Sequence, residues 1–289
     1  MTRADLLLLV ANLVYATSYP AARLTLDSIP PATLAFLRCV IGGAILLPLL
    51  VRHPLSGVKP GDRWRIAAMG VIGFGAAFAL SHWGLQRSTV ANAALLIIVE
   101  PITIIMLSPL MLAERLGGRE AAGGALALAG TILVVTDGIP GLSSSLAPNW
   151  RGDLLLVASG LAYAAYSLIG RDVLRRHPSG PVTALSVAWG TAALLPLAAV
   201  EWGAGVRPVW TGAALIGLLY LAVVITPLAY LVWNWALERV PAPRAAIFLN
   251  VQPIAGALLG VLVLGDPVSL FTEVGGVLIV GGLSLTAKA

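Results

Sequence analysis

The 289-residue sequence is poor in the side chains from which soluble active sites are built. It has one cysteine and three histidines, and Asp, Glu, Lys and Arg together make up only 11% of it. Cys39, alone in an apolar run, can form no internal disulfide, and no Cys/His cluster has metal-ligand spacing. The glycines follow no strand in a phosphate-binding pattern and there is no ATP-binding motif, so no cofactor is implied. An ordinary soluble domain is about 25% charged and about 45–50% apolar. Here 58% of residues are hydrophobic, and a chain of this kind cannot cover itself with polar surface. That excludes a soluble enzyme and makes lipid the main solvent.

What the chain has in quantity is glycine (31) and proline (19), placed inside apolar runs. Membrane helices tolerate both, because neighbouring helices restore the lost hydrogen bonds. A helix crossing the hydrocarbon core needs about 20 apolar residues. Ten runs qualify: 4–23, 31–50, 64–85, 90–112, 119–137, 151–171, 181–200, 210–236, 243–264 and 268–287. The first is read as a span rather than a signal peptide, because its counterpart recurs in mid-chain. The longest connection, 138–150, reads as a hinge between halves.

The net charge of +5 invites a polyanionic partner, but the basic residues lie between apolar runs and share no face of their own, so nucleic acid is not expected. They mark topology instead. With the N-terminus in the cytoplasm, thirteen of the 18 Lys and Arg fall on the cytoplasmic side and four (Arg23, Arg87, Arg151, Arg207) on the other, leaving Arg38 inside a span. The acidic residues divide evenly, with Glu100 left inside a span. The expectation is an all-α inner-membrane protein of ten helices with both termini cytoplasmic, a monomer or weak homo-oligomer.

The two halves, 1–140 and 141–289, resemble each other. At an offset of 148, Asp5-Leu6-Leu7-Leu8, Tyr15-Ala16, Arg23 and Leu46-Leu47-Pro48-Leu49 match Asp153-Leu154-Leu155-Leu156, Tyr163-Ala164, Arg171 and Leu194-Leu195-Pro196-Leu197. At 152, Trp83, Arg87, Pro101, Gly123-Gly124 and Gly130 match Trp235, Arg239, Pro253, Gly275-Gly276 and Gly282. Five spans is an odd number, so the second copy must be inverted, an arrangement common in secondary transporters.

The order and duplication of these motifs resemble the EamA-type transporters of the drug/metabolite transporter superfamily over essentially the full length. The first half carries YATSYPAAR, Arg38 in span two, VEPITIIMLSPLMLAE and AAGGALALAGTILVV; the second carries WALERVPAPRAAIFLNVQPIAGALLGVLVLGD and EVGGVLIVGGLSL. Two departures stand out: Tyr15 where many relatives have Trp, and Asp266 where an acid like Glu114 is expected. The resemblance implies a ten-helix basket around a central cavity and export of small metabolites such as amino acids. It leaves the solute open, since the superfamily includes sugar, drug and nucleotide-sugar carriers.

Helix interruptions at matching positions are the best sequence pointer to a transporter's site. Pro101 pairs with Pro253, each removing a bond to a carbonyl four residues earlier, at Ile97 and Leu249; Gly75 pairs with Pro227 in spans three and eight. Packing kinks are the plain alternative. Glu100 is the most informative residue, because a mid-membrane charge costs a few kcal/mol. Three readings stand open: a proton carrier, an acceptor for a substrate ammonium, or a structural partner of Arg38. Its repeat mate is Gln252, so any charge role is asymmetric.

Amphipathic side chains gather nearby. Asn12, Tyr15 and Tyr19 share a face of span one; Tyr163 and Tyr166 lie in span six; Tyr230, Trp233 and Asn234 in span eight; Asn250 just before Pro253; His82 beside Trp83 near the outer end of span three. Rings with a polar tip can stack on a solute and hydrogen-bond it. An interfacial aromatic belt is the alternative, favoured for Trp64, Trp150, Trp202 and Trp210, and an interfacial role is favoured for His82. Gly123-Gly124, Gly275-Gly276 and Gly256-x-x-x-Gly260 offer small faces for close helix packing. Glu114 and Asp266 read as caps or loop anchors. The expected function is a secondary transporter exporting amino acids or similar metabolites by alternating access, with protons as a candidate coupling ion. Its rivals are a sugar or nucleotide-sugar carrier and a membrane-embedded enzyme. The enzyme would need paired Asp, a Ser/His pair at matching depth or HExxH, none of which is present.

Overall fold

The computed structural model describes residues 3–52, 59–112, 118–136, 149–239, 242–249, 251–265 and 268–287. Helices occupy nearly all of them and no strand occurs among them, as expected where every backbone group must find its partner within its own segment. In chain order the helices are α1 (Arg3–Ala16), α2 (Ser18–Leu26), α3 (Pro31–Arg52), α4 (Pro60–Met69), α5 (Ala77–Leu85), α6 (Val90–Leu96), α7 (Val99–Leu112), α8 (Gly118–Thr136), α9 (Trp150–Leu174), α10 (Ser179–Gly203), α11 (Gly212–Leu219), α12 (Tyr230–Arg239), α13 (Ala242–Leu249), α14 (Val251–Leu264) and α15 (Leu270–Ala287). Two π-helical stretches, Gly70–Ala76 and Tyr220–Ala229, join α4 to α5 and α11 to α12.

Each run expected to span coincides with one of these segments. Six described segments have the length and hydropathy to cross a bilayer by themselves: Pro31–Arg52, Pro60–Leu85, Val90–Leu107, Trp150–Leu174, Ser179–Gly203 and Gly212–Arg239. Of the rest, the first run is broken at Thr17, the runs 119–137 and 243–264 are only partly described, and the last holds α15. Large apolar side chains cover the outside, with Leu110, Leu262, Ile216 and Val277 all more than 70% exposed. Such a surface matches hydrocarbon rather than water. Trp64 and Trp210 are exposed, as a belt requires, whereas Trp202 is half-buried and donates from Nε1 to Thr33 Oγ1 at 3.0 Å.

Glycine sets the closest crossings. A Cβ on Gly70 would lie 2.3 Å from the Ser186 carbonyl oxygen, and one on Gly190 would lie 2.3 Å from Phe74 Cβ, so the first π stretch and α10 cross at backbone distance. A Cβ on Gly130 would meet the Gly275 oxygen at 2.5 Å, which lets α8 and α15 pack face to face. Buried polar groups tie other crossings. Asp153 in the first turn of α9 accepts from Ser88 Oγ, and from Asn92 Nδ2 at 3.2 Å; Thr272 of α15 donates to Asn92 Oδ1 at 3.3 Å. Glu201 at the end of α10 accepts from the Ala32 and Thr33 backbone N–H groups at 2.9 and 2.8 Å, satisfying orphan donors at the start of α3. Glu114 and Asp266 lie outside the described residues.

Candidate functional site

The break in span four lies upstream of the proline that pointed to it. Chain direction changes at Ile97–Ile98, between α6 and α7, and Pro101 falls in the first turn of α7, where its missing N–H costs nothing. The Ile97 carbonyl is not left orphaned, as the sequence suggested: the Glu100 N–H donates to it at 2.9 Å. Pro253 lies within α14, and Asn250, between α13 and α14, lies outside the described residues. Gly75 and Pro227 sit inside the two π stretches, away from the cavity wall.

A cavity of about 60 Å³ opens among α1, α2, α3, α5, α7, α9, α12, α13, α14 and the second π stretch, room for a few waters in this conformation. Of the residues singled out in the sequence, Tyr15, Tyr19, Arg38, His82, Glu100, Tyr163, Tyr166, Tyr230 and Trp233 line it. The aromatic wall is mutually packed: Tyr230 stands edge-on to Tyr15 (centroids 5.4 Å apart) and to Tyr166 (6.0 Å), and tilts against Phe74 (4.7 Å). Tyr166 is fixed from behind, its hydroxyl oxygen accepting from Asn234 Nδ2 at 2.6 Å, while the same Nδ2 reaches Thr183 Oγ1 at 2.7 Å. Asn234 therefore supports the wall rather than lining it. Tyr15 differs, since its hydroxyl is enclosed and has no partner among the described residues.

Asn12 also stands one layer back. Tyr19 donates to Gln252 Oε1 at 3.3 Å, Gln252 Nε2 donates to Asn12 Oδ1 at 2.7 Å, and Asn12 Nδ2 donates to the Leu8 carbonyl at 2.7 Å. The chain runs from the cavity wall to the backbone of α1. Gln252, the mate of Glu100, lines the cavity itself.

Arg38 and Glu100 are both buried, and neither is the other's partner. Glu100 Oε1 accepts from Ser167 Oγ at 3.2 Å. Arg38 Nε donates to Thr226 Oγ1 at 3.0 Å, and its guanidinium carbon lies 4.0 Å from the Phe78 ring centroid. His82 is buried, 2% exposed, with Nδ1 3.2 Å from the Pro31 carbonyl oxygen and Nε2 3.3 Å from Arg38 Nη1.

Sequence reasoning missed Phe78, Ser81 and Thr226. The first two belong with His82 and Leu85 to one stripe of α5, at spacings of three and four residues, which was legible as a pattern. Thr226 carried no signal until the π stretch brought it against Arg38.

Comparison with known proteins agrees with this picture. The EamA-like transporter family matches residues 2–136 and 150–288. An uncharacterized transporter of Archaeoglobus fulgidus is 26% identical over 99% of this chain and 97% of its own. A protein of Streptantibioticus cattleyicolor, described as a probable terminal-alkyne amino-acid exporter, is 26% identical over 99% of this chain and 93% of its own. One crystal structure superposes with a TM-score of 0.69 at 23% identity, covering 99% of this chain and 96% of the other, a likeness of fold.

Proposed function

The chain belongs to the EamA-like transporter family, and on that premise we propose that it exports amino acids or related small metabolites by alternating access. The observation that carries the reading is Glu100, a buried carboxylate in an aromatic cavity with a hydroxyl for a partner and, among the described residues, no cation. A carboxylate so placed is tolerated only when a proton or a cationic group neutralises it. A solute ammonium and a proton are then alternative occupants of one group, which is the logic of exchange. The aromatic wall supplies stacking surface for the rest of the solute, and the S. cattleyicolor relative is described as handling an amino acid.

Ten helices in two inverted five-helix repeats, with both termini in the cytoplasm of an inner membrane, complete the proposal. Two duplications support the repeat. The π stretches lie at equivalent positions. Arg87 and Arg239, which are repeat mates, each donate from Nη1 to the carbonyl of the mated tryptophan, Trp83 at 2.9 Å and Trp235 at 3.0 Å. Among the lining residues Arg38 is the one Lys or Arg. A sugar-nucleotide diphosphate calls for more positive charge than that, so the amino-acid reading is preferred.

The test is counterflow in liposomes. Purified protein is loaded with each of a panel of unlabelled amino acids, sugars and nucleotide sugars, and uptake of the labelled counterpart is followed. Accumulation of amino acids is expected. Accumulation confined to sugars or nucleotide sugars would overturn the reading.

A further inference from the structure

Arg38 is held on three sides and open on the fourth. A backbone carbonyl can only accept, so the 3.2 Å contact between His82 Nδ1 and the Pro31 oxygen places the ring proton on Nδ1. His82 Nε2 then presents a lone pair, and Arg38 Nη1 donates to it at 3.3 Å. Thr226 Oγ1 takes the Nε donor at 3.0 Å, and its own hydroxyl proton goes to the Leu221 carbonyl at 2.9 Å, a bond the π stretch permits. Phe78 covers one face of the guanidinium. Two of five donors are committed. The Nη2 group has no protein partner among the described residues, although Arg38 is 95% buried and lines the cavity.

A guanidinium taken out of water, fixed by two neutral acceptors and a ring, and denied a carboxylate of its own is costly unless something occupies its open edge. Its planar fork fits a carboxylate, which takes two parallel N–H donors. We propose that Arg38 is the anchor for the carboxylate of the solute, and that His82 and Thr226 are positioning residues that aim its open edge into the cavity. The assignment rests on the reading of this cavity as the solute site, and it separates the two buried charges. Glu100 serves the ammonium or the proton, and Arg38 serves the acid. Gly42 is part of the device, since a Cβ there would lie 2.8 Å from Thr226 Cγ2. The missing side chain lets α3 approach closely enough for Arg38 to reach its acceptor.

The experiment uses the full chain, purified in detergent, with leucine, leucinamide and 4-methylpentanoate as probes and the fluorescence of Trp233 and its neighbours as the signal. Loss of a hydrogen-bonded charge contact corresponds to roughly ten-fold or more in affinity. Wild type is therefore expected to bind leucine and 4-methylpentanoate at least that much more tightly than leucinamide. Arg38→Gln should bring the acid-to-amide ratio to near one. His82→Leu and Thr226→Val should lower it several-fold, and His82→Gln, which keeps an acceptor, should restore most of it. A merely structural His82 would change all three affinities alike. Should Arg38→Gln fail to fold, the His82→Leu and His82→Gln pair decides. A wild-type ratio of one, or a ratio unchanged by these variants, overturns the anchor. Leucine counterflow that ignores Arg38 would remove the anchor and leave the proposed function. Arg38-dependent binding of 4-methylpentanoate without amino-acid counterflow would do the reverse. Failure of wild type to bind any probe overturns both.

Discussion

Glu100 and Arg38 share one cavity wall, yet the carboxylate accepts from Ser167 and the guanidinium donates to Thr226 and His82. Two opposite charges buried within one site and left unpaired amount to stored binding capacity, since each is stabilised by a partner from outside the protein.

Glu100→Gln keeps the shape and the Ser167 contact but cannot exchange a proton. Solute counterflow at equal pH on both sides should weaken, because the carboxylate that takes the solute ammonium is gone, and efflux driven by a pH gradient should be lost. Equal dependence on the gradient in variant and wild type, measured in the same liposomes, would remove the proton-carrying role.

Tyr15→Phe and Tyr166→Phe form an informative contrast. The Tyr166 hydroxyl accepts from Asn234, so its loss strands a buried amide donor and should lower stability by about 1–3 kcal/mol. The enclosed Tyr15 hydroxyl has no partner among the described residues, so its removal should leave thermal stability unchanged or slightly raised. If the same hydroxyl meets the solute, transport affinity will fall in Tyr15→Phe although the fold is untouched. Unaltered uptake kinetics in that variant would make Tyr15 a packing residue.

Gly73→Ala should damage the wall directly. The added Cβ would lie 2.4 Å from Tyr166 Cδ2 and 2.7 Å from its Cγ, and the ring is pinned between Phe74 and Asn234. Overpacking of this kind costs about 1–3 kcal/mol. Thermal unfolding in detergent should register the loss together with weaker solute binding. Gly203→Ala, where a Cβ meets nothing within 4 Å, is the control.

At one end of the bundle Asp62 of α4 joins Arg176 (2.9 Å) and His177 (2.9 Å), and Asp172 of α9 joins Arg65 (2.6 Å) and Arg176 (3.0 Å). The first half of the chain is thereby tied to the second by charges that are partly exposed, and such pairs are weakened by salt. Asp62→Asn should accelerate transport if separation of α4 from α9 limits the cycle, and the acceleration should shrink as ionic strength rises. Turnover measured at low and high salt tests both parts, and a rate unaffected by either change would make the cluster a passive surface feature.

Several parts of this protein were legible from the residues alone, and others were not. Hydropathy located the described helices, six of them long and apolar enough to cross a bilayer, because in lipid a run of about 20 apolar residues has one way to satisfy its backbone. The mid-membrane positions of Glu100 and Arg38 declared themselves, since a charge there has no innocent explanation, and the tyrosines at helical spacing joined them on the cavity wall. Periodicity along one helix cannot report what another helix brings to it. That is why Arg38 and Glu100 could be read as a pair and Asn12 and Asn234 as lining, why the contact of His82 with Arg38 was not foreseen, and why Thr226 went unseen. Their partners stand 44 to 240 residues away in sequence. The amino-acid sequence determined that the chain lives in a membrane and which residues are too polar to be there without cause. Tertiary structure decided what those residues face, because partner choice in a low-dielectric interior is set by the few ångströms that glycine crossings and π turns allow.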